Sequence, residues 1–292
     1  MKVAKFSLRL TLFVFLASAT FPLAAQNNPA WLTPFPAFRI AGNLYYVGSQ
    51  DLGSYLIATP RGLILINSSF EASVPLIKKS VESLGFRFSD INILLISHAH
   101  DDHCSGSEQI IRLTGAKYYV MAGDVSVVES GGRTDFQYGA QKAHHYPPAH
   151  VDRVLHDGST VSLGGTVLTA HLTPGHTRGT TTWTIDEAEN GHVLHVVIVG
   201  SPNVNPGYKL VGNKTYPQIA ADYERGFAAL HKLPCDIFLG AHGSYFDLVE
   251  KYPRWKAGDN NAFIDPAGYN AYIADREQAF EKELARQSAA KK

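Results

Sequence analysis

Apolar residues along this chain fall into short uninterrupted runs bounded by Gly, Pro, Asn and charged residues, the pattern of buried strands. Leu44-Tyr45-Tyr46-Val47 and Tyr55-Leu56-Ile57-Ala58-Thr59 read as strands, Pro60-Arg61-Gly62 as a turn and Leu63 to Ile66 as a third strand, together a β-meander. Helical spacing takes over from Val74 to Leu84, with Pro75 suited to a first turn. Ile91 to Ile96 reads as a fully buried strand ending in Ser97. A helix over about Gly106 to Leu113 and a strand over Lys117 to Met121 follow.

From Ser130 to Pro148 no period survives, which predicts a long functional loop. Strand patterns return from Gly158 to Ala170 as a hairpin around Gly164-Gly165, then at Thr180 to Ile185 and Val193 to Val199. Tyr216 to Leu230 reads as a helix, Asp236 to Leu239 as a short buried strand, and Tyr269 to Gln287 as an amphipathic closing helix. Two β-rich halves with helices outside predict an α/β fold, a four-layer αββα sandwich.

The N-terminus has a separate logic. Lys2, Lys5 and Arg9 precede the apolar Leu10 to Ala17, and Leu23-Ala24-Ala25 offers small residues for cleavage, with a second option after Ala19. Residues 1–25 read as a signal peptide and 26–292 as one mature domain, soluble and exported, with a periplasmic location expected. No later window is long and apolar enough for a membrane helix, so no membrane partner is expected after cleavage.

With 26 basic and 26 acidic side chains the formal net charge is zero, which argues against a nucleic-acid partner. Two cysteines, Cys104 and Cys235, are too few for a disulfide scaffold or a thiolate cluster, although an oxidising compartment would allow them to pair. Thirteen histidines are the unusual feature.

The densest chemistry is Ser97-His98-Ala99-His100-Asp101-Asp102-His103, directly after the apolar strand. In an extended tail His98 and His100 point to one side, and Asp102 and His103 fall where the next helix starts. Imidazole and carboxylate without thiolate suit zinc with open positions, and the surplus of ligands implies a second ion. Pro174-Gly175-His176-Thr177 and Gly240-Ala241-His242-Gly243 each place a glycine-flanked histidine at a strand exit, where the backbone can approach a centre closely. Asp101 reads as a helix-start or solvent-facing residue and Cys104 as a buried, inert thiol. His144, His145 and His150 read as an exposed loop cluster. His156, His171, His192, His195 and His231 read as surface or hydrogen-bonded histidines.

The His-x-His-x-Asp-His motif resembles that of the metallo-β-lactamase superfamily. The ordered set that adds Pro174 to Thr177, Pro206-Gly207-Tyr208, Leu233 to Asp236, Gly240 to Gly243, Phe263 to Pro266 and Gly268-Tyr269 resembles subclass B3, from about Trp31 to the last helix. That resemblance implies the αββα fold and two Zn2+ per chain: one on His98, His100 and His176, the other on Asp102, His103 and His242. It implies opening of the β-lactam ring of penicillins, cephalosporins and carbapenems by a di-zinc-bound hydroxide, with Asp102 also orienting that nucleophile, in a monomer. The alternative is hydrolysis of lactones or other esters on the same site.

No cysteine stands at Gly200 to Asn203, unlike subclass B1, and His98 is not the asparagine of B2. Ser201 stands where glyoxalase II and many lactonases have a bridging aspartate. Pro202, Asn203 and Val204 replace serines that many relatives carry. Asn203 and Asn205 are therefore candidate donors to substrate. Gln137 and Tyr138 are candidates to wall the substrate groove, with simple loop packing as the other reading. Asn67 stands where the superfamily often has aspartate.

Overall fold

The computed structural model describes residues 28–189 and 191–290, so the expected leader lies outside the described residues. Seven strands form the first sheet in chain order: β1 (Phe38–Ala41), β2 (Leu44–Tyr46), β3 (Tyr55–Thr59), β4 (Gly62–Ile66), β5 (Ile91–Leu95), β6 (Lys117–Met121) and β7 (Arg153–Leu155). The meander β1 to β4 is antiparallel, and β4 to β7 are parallel, joined through α1 (Val74–Ser83), α2 (Asp101–Cys104), α3 (Ser107–Thr114) and α4 (Val125–Glu129). The second sheet holds β8 (Ser159–Leu163), β9 (Thr166–Leu172), β10 (Thr181–Glu189), β11 (His192–Val199) and β12 (Ile237–Gly240). Helices α5 (Ile219–Leu230), α6 (Leu248–Lys256) and α7 (Pro266–Ala289) complete the chain.

Strand alternation builds the layers. In β4, Leu63 and Leu65 pack with Val74, Ile77 and Val81 of α1, while Ile64 and Ile66 point the other way into the core that includes Leu168, Trp183, Ile185 and Ile198 of the second sheet. That second core extends to Phe227 of α5 and to Ile273 and Phe280 of α7. Each such fully buried aliphatic side chain contributes about 1.5–3 kcal/mol of transfer free energy. Helices on the outside of both sheets give the αββα sandwich that the sequence predicts. Among the described residues, no helix is long and apolar enough to cross a membrane.

Several expected boundaries move. β1 and β7 are short edge strands that the hydrophobic pattern does not reveal, and α4 and α6 are likewise unforeseen. The helix expected from Tyr216 starts at Ile219, because Asn213 Oδ1 accepts the Thr215 and Tyr216 amides and holds those residues in a turn.

The two sheets are stitched where β5 ends. Trp183 Nε1 donates to the Ile96 carbonyl at 3.0 Å and the Thr181 amide to the Ser97 carbonyl at 2.7 Å. Asn67, at the exit of β4 with φ +65°, donates from Nδ2 to the Gly53 carbonyl and accepts the Ser97 amide at 2.8 Å. Asparagine tolerates this left-handed conformation better than most residues. It therefore fixes the residue just before His98.

Candidate metal centre

Four of the six expected ligands leave the ends of strands or the turns between them. His98 and His100 follow β5, His176 lies in the turn between β9 and β10, and His242 follows β12. Asp102 and His103 sit on α2, whose first turn favours the acidic residue. The turn that carries His176 needs glycine: Gly175 has φ +127°, and a Cβ there would lie 2.5 Å from the Tyr223 ring.

One ligand atom from each of His98, His100 and His176 lies within 4.8 Å of the others, and the same holds for His98, Asp102 and His103. The second cluster thus shares His98, where Asp102, His103 and His242 were expected. His242 remains beside it: its Nε2 is 3.4 Å from Asp102 Oδ2, and its ring centre is 4.9 Å from that of His103. The His103 ring leans further toward His98, at 4.3 Å.

Hydrogen bonds fix which ring nitrogen is free. His176 Nδ1 is 2.7 Å from the Asn203 carbonyl, an acceptor only, so Nδ1 carries the proton and Nε2 keeps its lone pair for the centre. His242 Nδ1 is 3.1 Å from Asp51 Oδ2, which selects the same tautomer. Neither ring nitrogen of the fully buried His103 has a hydrogen-bond partner, although Nε2 is 3.1 Å from Asp102 Oδ2. Buried polar atoms left this way cost about 1–3 kcal/mol each, and a cation between the two groups would remove that cost. The residues fit zinc: neutral imidazoles, one carboxylate, no thiolate.

At the first cluster the chain's own electrostatics point the same way. Burial holds His98 and His176 well below the ordinary imidazole value, helped by the neighbouring histidines, and brings His100 down to about 4. All three therefore present neutral nitrogens at physiological pH. Burial pushes Asp102 up, but His103 and His242 outweigh it and hold the carboxyl well below its usual range. Burial opposes a charged His242, yet Tyr245, Asp102 and Asp51 together raise it.

The four candidate substrate residues divide. Tyr138 packs its ring 5.2 Å from His100, and its hydroxyl accepts from Asn205 Nδ2 at 3.1 Å. Gln137 lies close against Gly207. Asn203 turns its amide elsewhere: Nδ2 donates to the Tyr245 hydroxyl at 2.7 Å, while its backbone carbonyl holds both His176 and the Tyr223 hydroxyl.

His144 corrects the exposed-loop reading. The 130–148 loop folds back so that His144 Nδ1 lies 3.1 Å from Asp101 Oδ1, beside the Tyr138 ring. Asp101 is thereby partnered rather than free in solvent. Cys104 is buried, donates to the His100 carbonyl and has its thiol pushed well up by burial; it and Cys235 are unpaired. Sequence reasoning gave no role to Asp124, Asp51, Tyr245 or Tyr208. Tyr208 donates its hydroxyl to the His176 carbonyl at 2.9 Å.

An αββα sandwich with a histidine-rich centre at its strand exits is the architecture of a metal-dependent hydrolase. The model of the metallo-beta-lactamase superfamily matches residues 54–189, and the chain belongs to that superfamily. The native FEZ-1 metallo-beta-lactamase from Legionella gormanii is 58% identical with a TM-score of 0.87, the match covering 88% of this chain and 98% of that one. BJP-1, a subclass B3 metallo-beta-lactamase of Bradyrhizobium japonicum, is 34% identical with a TM-score of 0.84, covering 90% and 98%. A probable metallo-hydrolase of Burkholderia pseudomallei is 30% identical over 112 residues, 38% of this chain and 36% of that protein. The chain's matches span about a third of the curated relatives' lengths, 36% and 28%.

Proposed function

We propose that this chain is an exported zinc-dependent β-lactamase that hydrolyses penicillins, cephalosporins and carbapenems as a periplasmic monomer. The observation that carries the reading is the convergence of His98, His100 and His176 with Asp102, His103 and His242, set in a fold shared at 58% identity with a metallo-beta-lactamase. His98, His100 and His176 would hold one zinc, and Asp102, His103 and His242 a second. Bound zinc supplies Lewis acidity, polarising the lactam carbonyl and making water nucleophilic near neutral pH.

The chain's residues do the rest. As a zinc-ligating carboxylate Asp102 would be ionised, so an oxygen of it can accept a hydrogen from the attacking water and orient it. The Tyr138 hydroxyl accepts from Asn205, which leaves its own O–H to donate toward substrate beside His100. The Asn203 carbonyl and Asp51 keep the His176 and His242 rings from rotating away. Export and cleavage after Ala25 rest on the leader alone, and N-terminal sequencing of the protein from a periplasmic fraction tests them.

A metallo-hydrolase acting on lactones or other esters is the second reading; the Burkholderia pseudomallei relative, a probable metallo-hydrolase, favours only the broader hydrolase class. Zinc-loaded and chelator-treated protein, assayed with a penicillin, a cephalosporin, a carbapenem and a γ-lactone, separates the two. β-Lactam turnover that chelation abolishes is expected. Turnover of the lactone with none of any β-lactam would overturn the proposal in favour of the second reading.

A further inference from the structure

The closing helix brings a cation to the edge of the centre. Tyr272 and Arg276 are one turn apart on α7 and so lie on one face of it. The Tyr272 ring stacks on Tyr245 at 4.9 Å, and Tyr245 packs 5.1 Å from His242. The Arg276 guanidinium lies 5.9 Å from the Tyr272 ring centre, and its Nη1 reaches Asn203 Oδ1 at 3.5 Å. Asn203 in turn holds His176 through its carbonyl. Arg276 is thus linked to a ligand of each proposed ion, through Asn203 to His176 and through Tyr272 and Tyr245 to His242.

Three features suit this group to binding rather than to structure. Its side chain is 37% exposed, so an incoming ligand can reach it. Nε and Nη2 are taken by Asp275, but Nη1 has only a bond at the outer limit of hydrogen-bond length, which a carboxylate oxygen would improve on. Without Lys2, Lys5 and Arg9 of the leader the chain has 23 basic and 26 acidic side chains, so its net charge does not attract an anion from a distance and local cations must do so. Arg178 is committed elsewhere, stacked 4.5 Å over Tyr216 and donating to the Thr215 carbonyl.

We propose that Arg276 binds the carboxylate of the substrate, exchanging its weak bond to Asn203 for a charge-assisted one, and that Asn203 is the residue that positions it. This rests on the hydrolase reading above and narrows it: the preferred substrates are β-lactam acids rather than neutral cyclic amides or esters. A hydrogen bond to a charged group at a partly exposed position is worth roughly one order of magnitude in affinity or more.

The test compares a cephalosporin free acid with its methyl ester on zinc-loaded wild type, R276A, R276K and R276E, with circular dichroism to check folding. For the acid, KM is expected to rise about tenfold or more in R276A, further in R276E, and to recover in part in R276K, with kcat held within about twofold. For the ester, KM is expected to move less than about twofold. D275N leaves the guanidinium intact and removes its competing carboxylate; it is expected to lower KM for the acid and serves should R276A not fold. Equal shifts for acid and ester, no shift for either, or an unchanged or raised KM in D275N would overturn the anchor. Wild type that opens neither compound sinks the β-lactamase reading itself, whereas an active wild type with an indifferent R276A sinks only this inference.

Discussion

Asp124 Oδ2 accepts the Thr177 hydroxyl at 2.7 Å, and the same oxygen accepts the amide of Ala99 at 2.9 Å. Ala99 stands between His98 and His100, and Thr177 follows His176. Oδ1 takes the Gly179 amide at 2.8 Å. One carboxylate, 1% exposed, therefore sets the spacing of three histidines carried by both sheets. D124A would leave buried amides at Ala99 and Gly179 without acceptors, at about 1–3 kcal/mol each. It should lower the midpoint of thermal unfolding and weaken zinc binding about 10–100-fold, as losing a group that orients ligands typically does. Chelator competition measures the affinity. D124N keeps the shape but turns an NH2 toward a donor, so it should fall between wild type and D124A. Wild-type zinc affinity in D124A would refute the role.

The motif from His98 to His103 is legible because an apolar run ends abruptly in alternating ligands, and the fold is legible because its central strands are long enough to show their period. His176 and His242 are legible through glycine at strand exits. Asp124 occupies the equivalent position after β6, but a lone aspartate in Ala-Gly-Asp carries no spacing signal. Asp51 meets His242 from 191 positions away, a contact that topology makes and no local pattern announces. His144 is misread for the same reason: only the fold of the 130–148 loop brings it to Asp101. β1 and β7 lack the apolar run that reveals β2 and β12 at the same lengths: Arg39 interrupts one and Arg153 opens the other.

Asp51 supplies a second prediction. Its Oδ2 also accepts Trp31 Nε1 at 2.9 Å and its Oδ1 the Ser244 amide at 2.8 Å, so it braces His242 from the N-terminal segment. His242 and Ser244 hold its carboxyl far below the usual range in spite of burial. D51A should free His242 to rotate and weaken one zinc about 10–100-fold while the other stays tight. Zinc titration followed by calorimetry reads this as a split between two affinities that wild type shows less clearly. Equal weakening of both ions would mean that Asp51 acts on the fold and not on His242.

Asp102→Asn and His242→Ala should damage the centre in different ways. Asp102 contributes a ligand charge and an acceptor for the nucleophile, and Asn keeps only a carbonyl oxygen. Turnover should fall by about 10² or more, roughly 3 kcal/mol in barrier. His242 contributes one nitrogen, so its loss should lower zinc occupancy to about one ion per chain and leave activity that added zinc restores in part. Elemental analysis and carbapenem turnover across a zinc titration check both. Two tight zincs and wild-type turnover in His242→Ala would remove it from the ligand set.

Glu187 gives the pH dependence its clearest test away from the centre. It lies 4% exposed, with Oε1 unpartnered. Burial raises its carboxyl to about 7, with Glu189 adding to the rise and the Asn43 amide and Arg39 opposing it. The folded value lies above the ordinary 4.5, so the folded chain binds the proton more tightly than the unfolded one. This group's contribution to stability is accordingly full below about 4.5 and is lost as pH rises through about 7. The full shift corresponds to about 3 kcal/mol; solvent around the half-exposed Arg39 beside it screens the site and brings the expectation to about 1–2 kcal/mol. Glu187→Gln removes the titration and keeps an oxygen for the Asn43 amide. Its stability relative to wild type, from urea unfolding at several pH values, should climb between pH 4.5 and 7 and level off above that. A difference that is constant across that range would show that Glu187 titrates alike in both states.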